Sequence, residues 1–239
     1  MSIAENVARV EEQIADACRG AGRAPESVQL MAVSKTHPAD AILQAAAAGI
    51  RLFGENRVQE FSAKRDHLES AGFFAGARHA RFHCIGPVQS NKSNRAAAIF
   101  DAIDTVDSLR LAERLHQATA SLGKSLSVTI EIKTSPEAAK HGLLPDSTEL
   151  HELLERLPDL TNLAPRGLMT VPPYADDPEA ARPYFRHLRA LRDALVARYP
   201  RVLLDELSMG MSHDFPIAIA EGATVVRVGT AIFGARPAA

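Results

Sequence analysis

Lys35 ends the apolar run Leu30-Met31-Ala32-Val33-Ser34, which reads as a buried strand. An amine there sits at the mouth of a core rather than in open water, although a lysine that merely snorkels from a strand end looks the same in sequence. Towards the C-terminus, Leu207-Ser208-Met209-Gly210-Met211-Ser212 and Val226-Arg227-Val228-Gly229-Thr230 have the make-up of strand ends that grip a phosphate. Gly210 and Gly229 permit close backbone approach, and Ser208, Ser212 and Thr230 bring hydroxyls. A helix begins after each segment, so its amides and dipole favour an anion. Ordinary helix capping explains each half alone. An amine opposite a phosphate grip suggests a Schiff base with a phosphorylated aldehyde.

Arg227 lies inside the apolar strand Thr224-Val225-Val226-Arg227-Val228. Buried arginine keeps its proton and must find acceptors. A structural ion pair with a glutamate such as Glu131 would serve, and so would donation to an unprotonated ring nitrogen. His83, alone on an apolar strand, reads first as a hydrogen-bonded core residue. Cys18 and Cys84 fit no metal-ligand spacing and read as reduced core thiols, so no metal site is expected.

Strand-like and helix-like segments alternate along the 239 residues. An opening helix over about 3–22 carries Val7, Val10, Ile14 and Ala17 on one face. The strands are expected at 28–35, 51–56, 80–86, 101–107, 126–133, 163–171, 202–209 and 224–230. The helices between them include Leu109–Leu122, Ser147–Leu157 and a long one over Pro178–Tyr199. Such alternation implies parallel strands with crossover helices. Eight units in this length predict an α/β fold, one (β/α)8 barrel spanning residues 1–239 with an extra N-terminal helix. An open doubly wound sheet should carry a glycine-rich turn after its first strand, whereas Ser34-Lys35-Thr36-His37-Pro38 has no glycine. In a barrel the reactive groups belong at the C-terminal strand ends, with phosphate after strands seven and eight.

A net charge of −2, no tryptophan and 5% aromatic residues argue against nucleic-acid binding. No stretch approaches a membrane span, and the first residues, MSIAENVARVEE, lack a signal-peptide core. A cytoplasmic protein is expected.

The segments AVSKTHPADAI, FGENRVQE, FHCIGPVQSNK, GLMTVPP and LSMGMSHDFPIAIAEGATVVRVGTAIFGAR together resemble the YggS/PROSC family of pyridoxal 5′-phosphate homeostasis proteins. The likeness runs from about residue 3 to residue 236. That family is similar in turn to the N-terminal barrel of alanine racemase, without its second domain. The resemblance implies pyridoxal 5′-phosphate held as a Schiff base on Lys35. It implies phosphate contacts from Ser208, Gly210, Gly229 and Thr230, with Arg227 near the pyridine nitrogen and Asn56, His83, Ile85 and Met209 lining the cofactor. Three residues depart from the family pattern: Lys133 in place of a small polar residue, Cys84 in place of a larger apolar one, and His213 before Asp214.

The resemblance also implies a cofactor carrier or regulator rather than an enzyme, with pyridoxal-phosphate-dependent apoenzymes as candidate recipients and a monomeric state. Racemisation needs an acid/base group on each face of the substrate carbon, and Tyr174, Tyr184 and Tyr199 fall in a loop or on an outer helix. The alternatives are a pyridoxal-phosphate enzyme, such as a residual racemase, and a cofactor-free Schiff-base aldolase acting through Lys35.

Overall fold

Eight parallel strands close into a barrel in the order β1-β2-β3-β4-β5-β6-β7-β8, with β8 paired back onto β1. The computed structural model describes residues 1–75, 80–135 and 141–235. Helix α1 (Ile3–Gly20) precedes the barrel. It is followed by β1 (Gln29–Val33), α2 (Ala39–Ala47), β2 (Leu52–Glu55), α3 (Val58–Ser70), β3 (Arg81–Cys84) and α4 (Ser93–Ile99). Next come β4 (Ala102–Val106), α5 (Leu109–Ser121), β5 (Leu126–Glu131), α6 (Thr148–Arg156), β6 (Leu163–Met169), α7 (Arg182–Arg198), β7 (Glu206–Met211), α8 (Phe215–Ala220), β8 (Val225–Val228) and α9 (Thr230–Phe233).

Two elements start four residues later than expected. The seventh strand begins at Glu206, not 202, because pairing with β6 starts at Gly167 and Glu206; buried Val202 and Leu204 anchor the approach to it. The long helix starts at Arg182, because Pro178–Ala181 forms a separate 3-10 turn.

Alternation along each strand splits the interior in two. Outward residues such as Ala32, Phe53, Phe82, Ile103, Val128, Leu207, Met209 and Val226 pack against the helices in one large core. Inside the barrel a smaller cluster joins Met31, Leu52 and Val225, with Ile85 against it. Phe61 of α3 stacks on Phe82 at 4.6 Å and on Phe100 at 4.7 Å, which fixes α3 over β2 and β3. The extra helix α1 braces the end of the chain: Asn6 Nδ2 donates to Ile232 O at 2.9 Å and Arg9 Nη2 to Ala231 O at 3.2 Å.

Gly167 marks the tightest strand contact. A β-carbon there would lie 1.9 Å from Glu206 O, a backbone atom with no room to turn aside. Gly167→Ala should therefore destabilise the barrel by about 3 kcal/mol, the upper range for overpacking. Urea unfolding measures this, and a wild-type midpoint would show that β6 and β7 part without cost.

Candidate functional site

Barrel closure decides which strand ends become neighbours. The β1–β8 register pairs Met31 with Arg227 and Ala32 with Val228. One residue further, Gly229 faces Val33: a β-carbon on Gly229 would sit 3.2 Å from Val33 O. Lys35 follows two residues later, in the turn just beyond the end of β1. Along the other edge, Val33 registers with Gly54 and Gly54 with His83. Lys35, Asn56 and Ile85 therefore follow the C-terminal ends of the neighbouring strands β1, β2 and β3, and Ile85 packs against the inner cluster.

The turn after β7 meets the start of α9. Ser212 Oγ accepts from Gly229 N at 3.3 Å and from Ala231 N at 3.4 Å, so two backbone amides converge on one oxygen. Two amides on one acceptor are a donor set suited to a phosphate oxygen. Thr230, between them in sequence, is exposed. Gly210 adopts φ +93°, and a β-carbon on it would lie 2.6 Å from Ala218 Cβ, so packing against α8 already demands glycine. Asp214 is buried beneath this turn and accepts from Met211 N at 2.6 Å; burial raises its carboxyl above the usual range.

Arg227 is buried in the barrel. Its Nη1 donates to Ser208 Oγ at 2.9 Å and its Nη2 to Thr170 O at 2.8 Å. Those bonds use two of its five N–H groups. Ser208 thus orients Arg227, and no ion pair within 4 Å joins Arg227 to Glu131 among the described residues. Desolvation lowers the arginine's proton affinity, opposed by the charges of Asp104, Glu131 and Asp214. The side chain remains a cation. Met209 is fully buried in the core between sheet and helices, so its side chain faces away from the mouth.

His83 lies one inward step deeper than Ile85, lining a small polar cavity with Arg81, Asp104, Ser127, Thr129, Arg166 and Glu206. Its Nδ1 is 3.1 Å from Asp104 Oδ2. Burial alone would lower its pKa, but the charge and hydrogen bond of Asp104 prevail and raise it. Cys84 turns outward, and burial pushes its thiol up to about 12, so it stays protonated. The backbone of Lys133 is tied to Leu143 O at 2.9 Å; residues 136–140 of that loop lie outside the described residues. His213 Nε2 lies 3.1 Å from Asp176 O, and its ring lies against Tyr174.

Behind Lys35 stands a group that motif reading missed. Lys64 of α3 donates to Glu55 Oε1 at 2.8 Å and Ser34 O at 2.9 Å, and pairs with Glu60 Oε1 at 2.8 Å. Ser34 Oγ donates to Glu55 Oε1 at 2.7 Å, and Thr36 N to Glu60 Oε1 at 2.6 Å. Thr36 has φ +67°, the one left-handed non-glycine among the described residues. That conformation costs an L-residue roughly 1–2 kcal/mol. The signal in sequence was faint: a glutamate inside the otherwise apolar run Leu52-Phe53-Gly54-Glu55. Thr170 and Asp104 were missed too, the first because it acts through its carbonyl.

The sequence matches the family described as "Alanine racemase, N-terminal domain" over residues 6–237. A Clostridium difficile 630 alanine racemase shares this fold, with a TM-score of 0.69 at 15% identity over 95% of this chain and 60% of that one. The class of protein is therefore a barrel of the alanine-racemase N-terminal type. Much nearer are the pyridoxal phosphate homeostasis proteins of Vibrio alginolyticus, 46% identical over 98% of each chain, and of Escherichia coli strain K12, 44% identical over 98% of this chain and 97% of that one. PipY of Synechococcus elongatus PCC7942, solved with PLP bound, aligns with a TM-score of 0.85 at 41% identity over 98% of this chain and all of that one. The chain belongs to the pyridoxal phosphate homeostasis protein family.

Glu131 at the end of β5 supplies a test of the electrostatics. Burial, then repulsion by Asp107, raises its carboxyl from 4.5 to about 7, against the pull of Arg227. Between those values the folded protein holds a proton that the unfolded chain has lost, so stability falls as pH rises through this window. Glu131→Gln should remove that fall, compared by urea unfolding at about pH 5 and about pH 8. An unchanged pH slope would contradict the assignment.

Proposed function

We propose that this protein binds pyridoxal 5′-phosphate at the C-terminal mouth of the barrel and serves the homeostasis of that cofactor. One observation carries the reading: closure of β8 on β1 sets Gly229 against Val33 at the end of β1, two residues before Lys35. The aldehyde and the phosphate arm of the cofactor stand on neighbouring ring carbons, so a binding site needs an amine and an anion cradle side by side. Bound pyridoxal phosphate supplies an aldehyde that condenses with a lysine amine and releases water. Lys35 provides that amine. Gly229 and Ala231 offer amides, and Ser212, Thr230 and Gly210 complete the cradle. Ser208 contributes through Arg227, whose remaining donors face the ring nitrogen. Asn56 and Ile85 flank the ring, with His83 supporting it from below and Met209 contributing main chain only.

Arginine at the ring nitrogen leaves that nitrogen unprotonated and makes the cofactor a weak electron sink. A carrier or regulator, rather than a catalyst, fits that arrangement. The relatives bear the name of a homeostasis protein, not of an enzyme. We read the chain as one cytoplasmic domain acting as a monomer, able to exchange cofactor with pyridoxal-phosphate-dependent apoenzymes. No helix among the described residues is long and apolar enough to cross a membrane.

Wild-type protein supplied with pyridoxal 5′-phosphate should be yellow, and borohydride should fix the label on Lys35. Lys35→Ala should lose the visible band, while L-alanine should yield no D-alanine beyond the rate with free cofactor. A label on Lys92 would refute the site. Turnover of L-alanine abolished by Lys35→Ala would replace the carrier with a racemase.

A further inference from the structure

We propose that Lys64 is a positioning residue for Lys35: through Glu55 and Glu60 it clamps the Ser34–His37 turn and holds the lysine at the barrel mouth. The inference rests on the reading of Lys35 as the cofactor lysine, and adds a device that acts on its backbone.

The contacts of Lys64 select this turn. One goes directly to Ser34 O. A second reaches Ser34 Oγ through Glu55, and a third reaches Thr36 N through Glu60. The residue between those two anchors is Lys35. The three donors of an ammonium thus meet three acceptors, and none is wasted. His37 N closes the turn on Ser34 O at 3.1 Å, and the His37 ring lies 5.1 Å from that of Phe233 on α9. An anchor serving only to dock α3 would have no need of Thr36, because Phe61 already stacks that helix on Phe82 and Phe100.

The strained residue gives the clamp its purpose. Thr36 is β-branched at φ +67°, a conformation that such a residue holds only when its surroundings over-determine it. Released from Glu60, the peptide would relax towards the right-handed or extended region and turn Lys35 with it. Glu55 is wholly buried, and its Oε2 has no hydrogen-bond partner. Burial raises its pKa, against the charge and hydrogen bond of Lys64 and the hydroxyl of Ser34. Lys64 is the cation that offsets this buried carboxyl, so the clamp depends on it.

Glu60→Ala tests the device, since Glu60 is partly exposed on α3 and its loss leaves the core intact. Glu55→Gln with Lys64→Met, made together, removes both buried charges without stranding either. In cofactor-free protein, amide hydrogen exchange at Thr36 should speed up in both variants. On addition of pyridoxal 5′-phosphate, borohydride-trapped labelling of Lys35 should be roughly tenfold slower, equivalent to about 1.4 kcal/mol. Adding Thr36→Gly to Glu60→Ala should recover part of the rate, because glycine takes positive φ without a clamp. Labelling of Lys35 at the wild-type rate in either folded variant would overturn the proposal, as would a loss that Thr36→Gly leaves untouched. Labelling at another lysine in the wild type would instead refute the cofactor site itself.

Discussion

Pairing of the last strand with the first is the constraint on which the site depends. Residues 35 and 229 are far apart in sequence, and only the β1–β8 ladder makes their strand ends adjacent. A barrel enforces this because it has no free edge. The contact is tight as well as close: Gly229 lies so near Val33 that a β-carbon would press on its carbonyl. Replacing Gly229 would therefore disturb the closure before it reported on any ligand. Helix α1, outside the eight-unit repeat, reinforces the same seam by hydrogen bonding to carbonyls of α9.

Charge buried in the barrel is handled by distance as much as by pairing. Arg227 bonds to neutral oxygens, while Asp104, Glu131 and Asp214 stabilise it from farther off. Such an arrangement leaves donors of the arginine available, which a close ion pair would consume. On the other side of the sheet the opposite solution holds: Lys64 spends all three donors on a fixed clamp. Among the described residues Arg227 bonds only to neutral oxygens, and Lys64 ties down the backbone on either side of Lys35.

The barrel was legible because apolar strands and amphipathic helices alternate at the right spacing, and Lys35, Gly229 and Thr230 stood out as chemistry at strand ends. The register was not legible, and register gives several residues their parts. Ser208 looked like a phosphate donor but is the acceptor that orients Arg227. Met209 sat inside a ligand-like motif, yet strand alternation turns its side chain into the outer core. His83 fell short of the mouth by one inward step and found Asp104. Lys64 could not be found at all, since a lysine on a polar helix carries no sign of the buried carboxylates it will meet.

In the proposed site one ligand bridges the amine after β1 and the cradle after β7 and β8. Spectral titration of the wild-type protein with pyridoxal 5′-phosphate and with pyridoxal tests it most directly, because both offer the same aldehyde and only one carries the anion. The bridge predicts that the phosphate tightens binding at least roughly a hundredfold, as expected when several charge-assisted hydrogen bonds are made. Equal affinity for the two would mean that the cradle holds no phosphate and that the two halves of the site do not act together.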